Sequence, residues 1–170
     1  MVILSTERFD LRPLEQADRQ ALHAIFGDER AMEHYTRTMT PDEVGMLIAS
    51  HQVRQAETGR SLWAVVERAS GEVVADCGLL DQQVEGYLQP QVEIAYHVRP
   101  SSWRQGIASE CAIAVRDHAF GALGLERVIS LIRPENEPSR GVARKVGMQV
   151  EREVQYAGFL HEVWSVSRDG

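Results

Sequence analysis

The apolar positions of the chain switch between two periods. Phe9, Leu11 and Pro13 alternate with Asp10 and Arg12, a strand pattern that stops at the proline. From Ala17 to about Tyr35, Ala21, Leu22, Ile25 and Phe26 fall at helical spacing and are interrupted by Gly27, which predicts one or two short helices. Thr40-Pro41-Asp42-Glu43 then combines an N-cap, a proline at the first helical position and a glutamate three residues after the cap. Val44, Leu47, Ile48 and His51 mark one face of the helix that follows, which should end near Gly59. Beyond Gly59 the period becomes two. Residues 62–68, the turn 69–71 and residues 72–81 read as an antiparallel hairpin, and a polar loop, 82–90, leads into a strand at 91–98. Helices are predicted at 107–120 and 138–146, the second stopped by Gly147, and strands at 127–132, 148–154 and 160–166. The sum is an α+β fold with a mostly antiparallel sheet and helices on both faces.

Composition narrows this without changing it. A chain of 170 residues with 44% apolar and 25% charged positions fits one ordinary globular domain and excludes disordered or collagen-like classes. The net charge of −7 has the wrong sign for a nucleic-acid partner and suits an amine-bearing one. All but Lys145 of the 18 basic residues are arginine. Cys77 and Cys111 lie in apolar segments without CxxC spacing, so both read as buried thiols in a reducing compartment. The six histidines are scattered singly, with no HExxH, so no metal site is expected. Residues 1–7 carry too short an apolar run for a signal peptide or membrane span, and a cytoplasmic location is expected.

The first chemistry-bearing stretch is Val98-Arg99-Pro100-Ser101-Ser102-Trp103-Arg104-Gln105-Gly106-Ile107-Ala108-Ser109-Glu110, where a strand ends, a loop turns and a helix begins around a glycine. Free backbone N–H groups at a positive helix end suit a di-anion such as a pyrophosphate. Gly106 and Ala108 leave room for phosphate oxygens, and Arg104 and Ser109 can add donors. The competing reading is a plain helix start with a permissive glycine. Neither a Rossmann GxGxxG nor a Walker lysine is present. The second stretch, 133–148, again runs strand, turn, helix.

Together, WRQGIASE and the later N-x-x-S and A-R-K-V-G-M resemble the two cofactor motifs of the GNAT superfamily of N-acetyltransferases. Arg8-Phe-x-Leu-Arg-Pro-Leu, Glu93-Ile-Ala-Tyr-His-Val and Leu160-His-Glu-Val are most similar to its ribosomal-protein (RimJ/RimL-like) branch. The resemblance implies a GNAT-like acyl-CoA N-acyltransferase fold whose central strands, 91–98 and 127–132, splay apart around acetyl-CoA. The pyrophosphate would rest on the N–H groups of Arg104, Gln105, Gly106, Ile107, Ala108 and Ser109, and the pantetheine arm would bond near Val98. Trp103 departs from the Arg or Gln that many superfamily members place there, although the RimJ/RimL-like branch tolerates tryptophan.

Acyl transfer to an amine needs a base, an oxyanion donor and an acid for the thiolate. On strand 91–98, Glu93, Ala95 and His97 share one face, opposite Val92, Ile94, Tyr96 and Val98. Glu93, acting directly or through water, is the first candidate base and His97 the second. The alternatives are a salt-bridged strand glutamate and a structural histidine. By resemblance Ser139 donates to the coenzyme sulfur, against an ordinary role at the helix start. Asn136 would hold a water or the pantetheine, though a turn asparagine needs no such role. Tyr156, expected in a loop, is the acid of last resort, and packing is the commoner explanation for Trp63, Trp103 and Trp164. The implied activity is direct acetyl transfer from acetyl-CoA to a primary amine. A protein N-terminal α-amino group is the first acceptor, with a polyamine, amino acid or aminoglycoside-type small molecule as the alternative. A non-catalytic acyl-CoA-binding module is the rival of another class. Acceptor contacts are expected from 27–40, 82–90 and 155–160, and a homodimer is left open.

Overall fold

The period-two segments assemble into one mixed sheet in a computed structural model that describes residues 1–169. Its strands are β1 (Leu4–Ser5), β2 (Phe9–Pro13), β3 (Leu62–Glu67), β4 (Val73–Gln82), β5 (Gln91–Val98), β6 (Arg127–Ile132), β7 (Gln149–Tyr156) and β8 (Phe159–Ser167). The order is β1-β2-β3-β4-β5-β6-β8-β7, and every neighbouring pair is antiparallel except β5 and β6. Parallel neighbours need a crossover. Here it is α3 (Ile107–Gly121), while α1 (Arg19–Phe26), α2 (Pro41–Thr58) and α4 (Glu137–Val146) complete the helices.

The sheet is apolar on both sides because each side carries helices. Along β3, Trp63 and Val65 join Cys111, Ala112 and Val115 of α3 and Ala143 and Val146 of α4 in one core. Leu62 and Ala64 join Leu22, Ile25 and Phe26 of α1 and Val44 and Ile48 of α2 in the other. Cys77 and Cys111 are free and buried, and burial pushes the Cys111 thiol up to about 12. No helix among the described residues is long and apolar enough to cross a membrane.

The capping signals locate α2 well. Thr40 accepts from the Glu43 N–H, Glu43 accepts from the Thr40 N–H, and Gly59 closes the helix in the left-handed region. Other boundaries differ from the sequence pattern. The two-residue β1 has too few positions to show a period. β7 and β8 run longer than predicted and meet at Ala157-Gly158, both at positive φ, so 155–160 is a tight hairpin rather than a loop. Tyr156 therefore lies on a strand. Trp63 and Trp164 are packed as expected, but Trp103 is 44% exposed.

Candidate functional site

β5 and β6 are paired at a single level, Glu93 opposite Ile129. Beyond it, side chains replace the backbone ladder. Ser130 Oγ donates to the Ile94 carbonyl at 2.8 Å, and Glu93 Oε1 accepts from the Leu131 N–H at 3.3 Å. The strands part from there, which is the predicted splay.

At the far end of β5 the chain makes a short 3₁₀ turn, Pro100–Ser102, and enters α3 through Arg104 and Gly106, both at positive φ. Gly106 is the N-cap and supplies no side-chain acceptor, so the first-turn N–H groups of α3 remain available to a ligand. Arg104, Gln105 and Gly106 are exposed. Arg104 forms no hydrogen bond or ion pair among the described residues, whereas Ile107 contributes only its backbone, its side chain being core. The Trp103 indole donates to the Val98 carbonyl at 2.7 Å, so that acceptor keeps one lone pair for any further donor.

The N-terminal segment braces this loop, a feature that sequence reading missed. Arg8 donates to the Gln105 carbonyl (2.9 Å) and to Glu110 Oε2 (2.8 Å), while Thr6 donates to Glu110 Oε1 (2.6 Å). Burial opposes the Glu110 charge, but the Thr6 and Arg8 donors outweigh it and hold the carboxyl below its ordinary value.

At the start of α4 the structure reassigns the cap. Asn136 Oδ1 accepts from the Ser139 N–H at 3.2 Å, so Asn136 starts the helix and the Ser139 hydroxyl makes no bond among the described residues. The Ser139 carbonyl accepts from Tyr96 Oη at 3.1 Å.

On the other side of the sheet Glu93 and His97 line one cavity of about 200 Å³, with Tyr35, Gln82, Tyr156 and His161. Glu93 is 8% exposed, and burial raises its pKa despite the Gln82 Nε2 donor at 2.8 Å and the Leu131 N–H. Tyr156 Oη donates to Gln82 Oε1 at 3.1 Å, tying the tyrosine to the same glutamate. His161 Nδ1 faces the Phe159 carbonyl at 3.1 Å and must therefore carry the hydrogen, leaving Nε2 as an acceptor in the neutral ring.

His97 Nδ1 lies 2.7 Å from Asp76 Oδ1, and Nε2 lies 2.8 Å from Tyr35 Oη. Burial works against the imidazolium, yet Asp76 and Glu93 reverse it and the pKa is raised. Sequence reading missed Asp76, Tyr35, Gln82 and His161. Tyr35 and Gln82 fall within the expected acceptor segments 27–40 and 82–90 and His161 within the Leu160-His-Glu-Val motif, none with a role of its own, whereas Asp76 shows only as the single charge within the apolar run Val73 to Leu80.

The structure thus brings Glu93, His97 and Tyr156 to one cavity, and Arg104 to Ser109 to one helix start. Asn136 and Ser139 lie at a second helix start beyond the splay.

Comparison with known proteins places this geometry. A family model described as an acetyltransferase (GNAT) domain matches residues 8–149. The protein YkkB of Bacillus subtilis (strain 168) is 30% identical over 153 residues, 89% of this chain and 88% of that one. Spermidine N(1)-acetyltransferase of Escherichia coli (strain K12) is 24% identical over 157 residues, 92% and 81% of the two chains. Among solved structures, a GNAT-family acetyltransferase from Bordetella pertussis matches with a TM-score of 0.82 at 23% identity, covering 98% of this chain and 99% of that one. RimJ of Mycobacterium smegmatis, solved in complex with CoA-disulfide, matches with a TM-score of 0.74 at 24% identity, covering 95% and 82%. At such identities the structural likenesses establish the fold.

Proposed function

The chain belongs to the acetyltransferase (GNAT) family, and from that premise we propose that residues 1–170 act as one N-acetyltransferase domain, passing acetyl directly from acetyl-CoA to a primary amine. The observation that carries this reading is the pairing of two features on the same strand. The loop after β5 ends in a helix start with no side-chain cap and an arginine that is unpaired among the described residues, and the body of β5 presents a buried carboxylate to a small cavity beside the β5–β6 gap.

The donor set fits a coenzyme with a pyrophosphate. The N–H groups from Arg104 to Ser109, with the Arg104 guanidinium, would hold the di-anion. Val98 would meet the pantetheine arm with its remaining lone pair. When bound, acetyl-CoA supplies an activated acetyl thioester, and the chain supplies position and proton traffic. Burial raises the Glu93 pKa toward the working range of a general base, and Gln82 and the Leu131 N–H fix its orientation. Ser139, whose hydroxyl forms no hydrogen bond among the described residues, would donate toward the sulfur, while Asn136 holds the helix that carries it.

We assign the acceptor as a protein N-terminal α-amino group, a reading supported by the likeness in fold to RimL, a ribosomal L7/L12 alpha-N-protein acetyltransferase. The likeness to a spermidine acetyltransferase supports a small polyamine instead. The buried thiols fit a reducing compartment, and we place the enzyme in the cytoplasm. A free-thiol release assay with acetyl-CoA across N-terminal peptides, polyamines, amino acids and aminoglycosides tests the proposal. Release with one amine class is expected. Thermal stabilisation by coenzyme A without release from any amine would leave an acyl-CoA-binding module, and no stabilisation at all would overturn the coenzyme site.

A further inference from the structure

We propose that Asp76, His97 and Tyr35 form a proton-accepting chain for the acceptor amine, in which Asp76 is a positioning residue for His97 and Tyr35 is the member that meets the substrate. The inference rests on the acetyl-transfer reading above and joins to His97, the second candidate base, two residues that the sequence motifs do not mark, Asp76 and Tyr35.

Asp76 is 0% exposed, in the middle of a strand whose neighbours Ala75 and Cys77 are core residues. A carboxylate in such a place requires partners. It has one. Oδ1 meets His97 Nδ1 at 2.7 Å, and Oδ2 has no hydrogen-bond partner. Antiparallel register sets Asp76 directly opposite His97, on the face that looks into the cavity. An ionised carboxylate only accepts, so Nδ1 carries the hydrogen and the neutral ring offers its lone pair at Nε2. That nitrogen faces Tyr35 Oη at 2.8 Å, and burial, with Glu93 and Asp76 nearby, raises the Tyr35 pKa, so the phenol keeps a proton and acts only by passing one on. The chain therefore runs from a sealed carboxylate, through a ring that is 13% exposed, to a phenol that lines the cavity. Phe26 packs against the ring, with centroids 5.0 Å apart, and limits its rotation.

The proton balance of the reaction gives this second acceptor a task. An ammonium and a thioester yield an amide, a thiol and one proton, so nitrogen loses two protons while sulfur gains one. The first leaves before attack. It passes to Tyr35 Oη as the Tyr35 proton moves to His97 Nε2, and the resulting imidazolium is paired with Asp76 until it releases the proton to water. The second leaves as the C–N bond forms, and Glu93, four residues before His97 on the same face of β5, takes it and releases it to water; as the C–S bond breaks, the thiolate takes the Ser139 proton, which water restores. One carboxylate in the cavity cannot hold both.

The groups that face His97 are Asp76 of β4, Glu93 of β5, Tyr35 and Phe26 from α1 and the segment after it, and His51 of α2 at longer range. Asp76 and Glu93 raise its pKa above the ordinary 6.5, and only the neutral ring accepts a proton. Turnover should rise with pH through that ionisation.

The test measures kcat and KM from about pH 5.5 to about 9 for wild type, Asp76→Asn and Tyr35→Phe, alongside an NMR titration of the His97 ring. In Asp76→Asn the acidic limb of kcat and the His97 pKa should both move down, by about one unit, with plateau kcat about tenfold lower and KM for acetyl-CoA unchanged. Tyr35→Phe, which keeps the ring and removes only the hydroxyl, should lower kcat about tenfold, with a thermal melt showing that the variant is folded. An acidic limb that stays in place while the His97 pKa falls would remove the chain from the reaction, as would full activity in Tyr35→Phe. A His97 pKa that does not respond to Asp76→Asn would overturn the pair itself. That titration needs no turnover, so it reads the pair even if wild type acetylates no amine, in which case the acetyl-transfer reading is what fails.

Discussion

Replacing Gly106 with valine separates backbone strain from loss of the anion seat. Gly106 has φ +75°, and a Cβ built there meets only Arg8 Nη2, at 3.7 Å, so no backbone atom stands in the way. The cost to the fold is then conformational, about 1–2 kcal/mol for an L-residue in the left-handed region. In a chain of this size that lowers Tm by about 2–8 °C. Gly59 supplies the control, since it has φ +69° and nothing within 4 Å of its would-be Cβ, and it lies at the end of α2 rather than at the coenzyme loop. The binding cost is larger. A valine side chain at the cradle displaces the pyrophosphate from at least two charge-assisted N–H bonds, each contributing about 1.5–3 kcal/mol. Their loss weakens affinity by about 10² or more. Calorimetry with coenzyme A and thermal melts on Gly106→Val and Gly59→Val should show similar falls in Tm and lost affinity only in the former. Wild-type affinity in a folded Gly106→Val refutes the seat. Equal loss in both variants would mean that the effect is destabilisation.

Glu93→Gln should lower kcat by about 10² at neutral pH, the deficit shrinking as pH rises and the free amine no longer needs a base; a wild-type pH–rate profile would exclude it. Ser139→Ala should lower kcat about tenfold with little change in Tm, whereas Asn136→Ala, which removes the cap acceptor, should cost about 1 kcal/mol; the opposite pattern in urea melts would return the cap to Ser139. Glu110 has a folded pKa below its ordinary 4.5, so its contribution is present above that value and lost as pH falls through the lowered one. Glu110→Gln should flatten this acidic arm and cost about 1 kcal/mol at neutral pH, discounted for its partial exposure. Parallel acid arms in the two proteins would show that the Thr6–Glu110–Arg8 cluster adds nothing.

Local signals located the parts of this protein that local physics makes. The cap Thr40, its return bond from Glu43 and the left-handed Gly59 act within four residues of each helix end, so α2 was legible almost to the residue. Alternation along 91–98 put Glu93 and His97 on one face because side chains in a strand alternate whatever packs against them. The glycine at 106 announced a helix start that needs positive φ. At the start of α4 local reading reached its limit, since asparagine and serine both cap well. Only the observed first helical residue, Glu137, decides for Asn136.

The partners were decided by tertiary structure. Asp76 reaches His97 across 21 residues, Tyr35 reaches it across 62, and Arg8 reaches Glu110 across 102. Such contacts follow from strand register and from which helix covers which face, neither of which a window of neighbouring residues encodes. The splay depends on Ser130 and the Glu93 side chain taking over bonds that a continuous ladder would have used. The cavity depends on Tyr35 meeting Tyr156 and His161 of the β7–β8 hairpin, more than a hundred residues further along the chain. Residue types and periods determine what each segment can become, and burial on packing determines which polar groups must find one another.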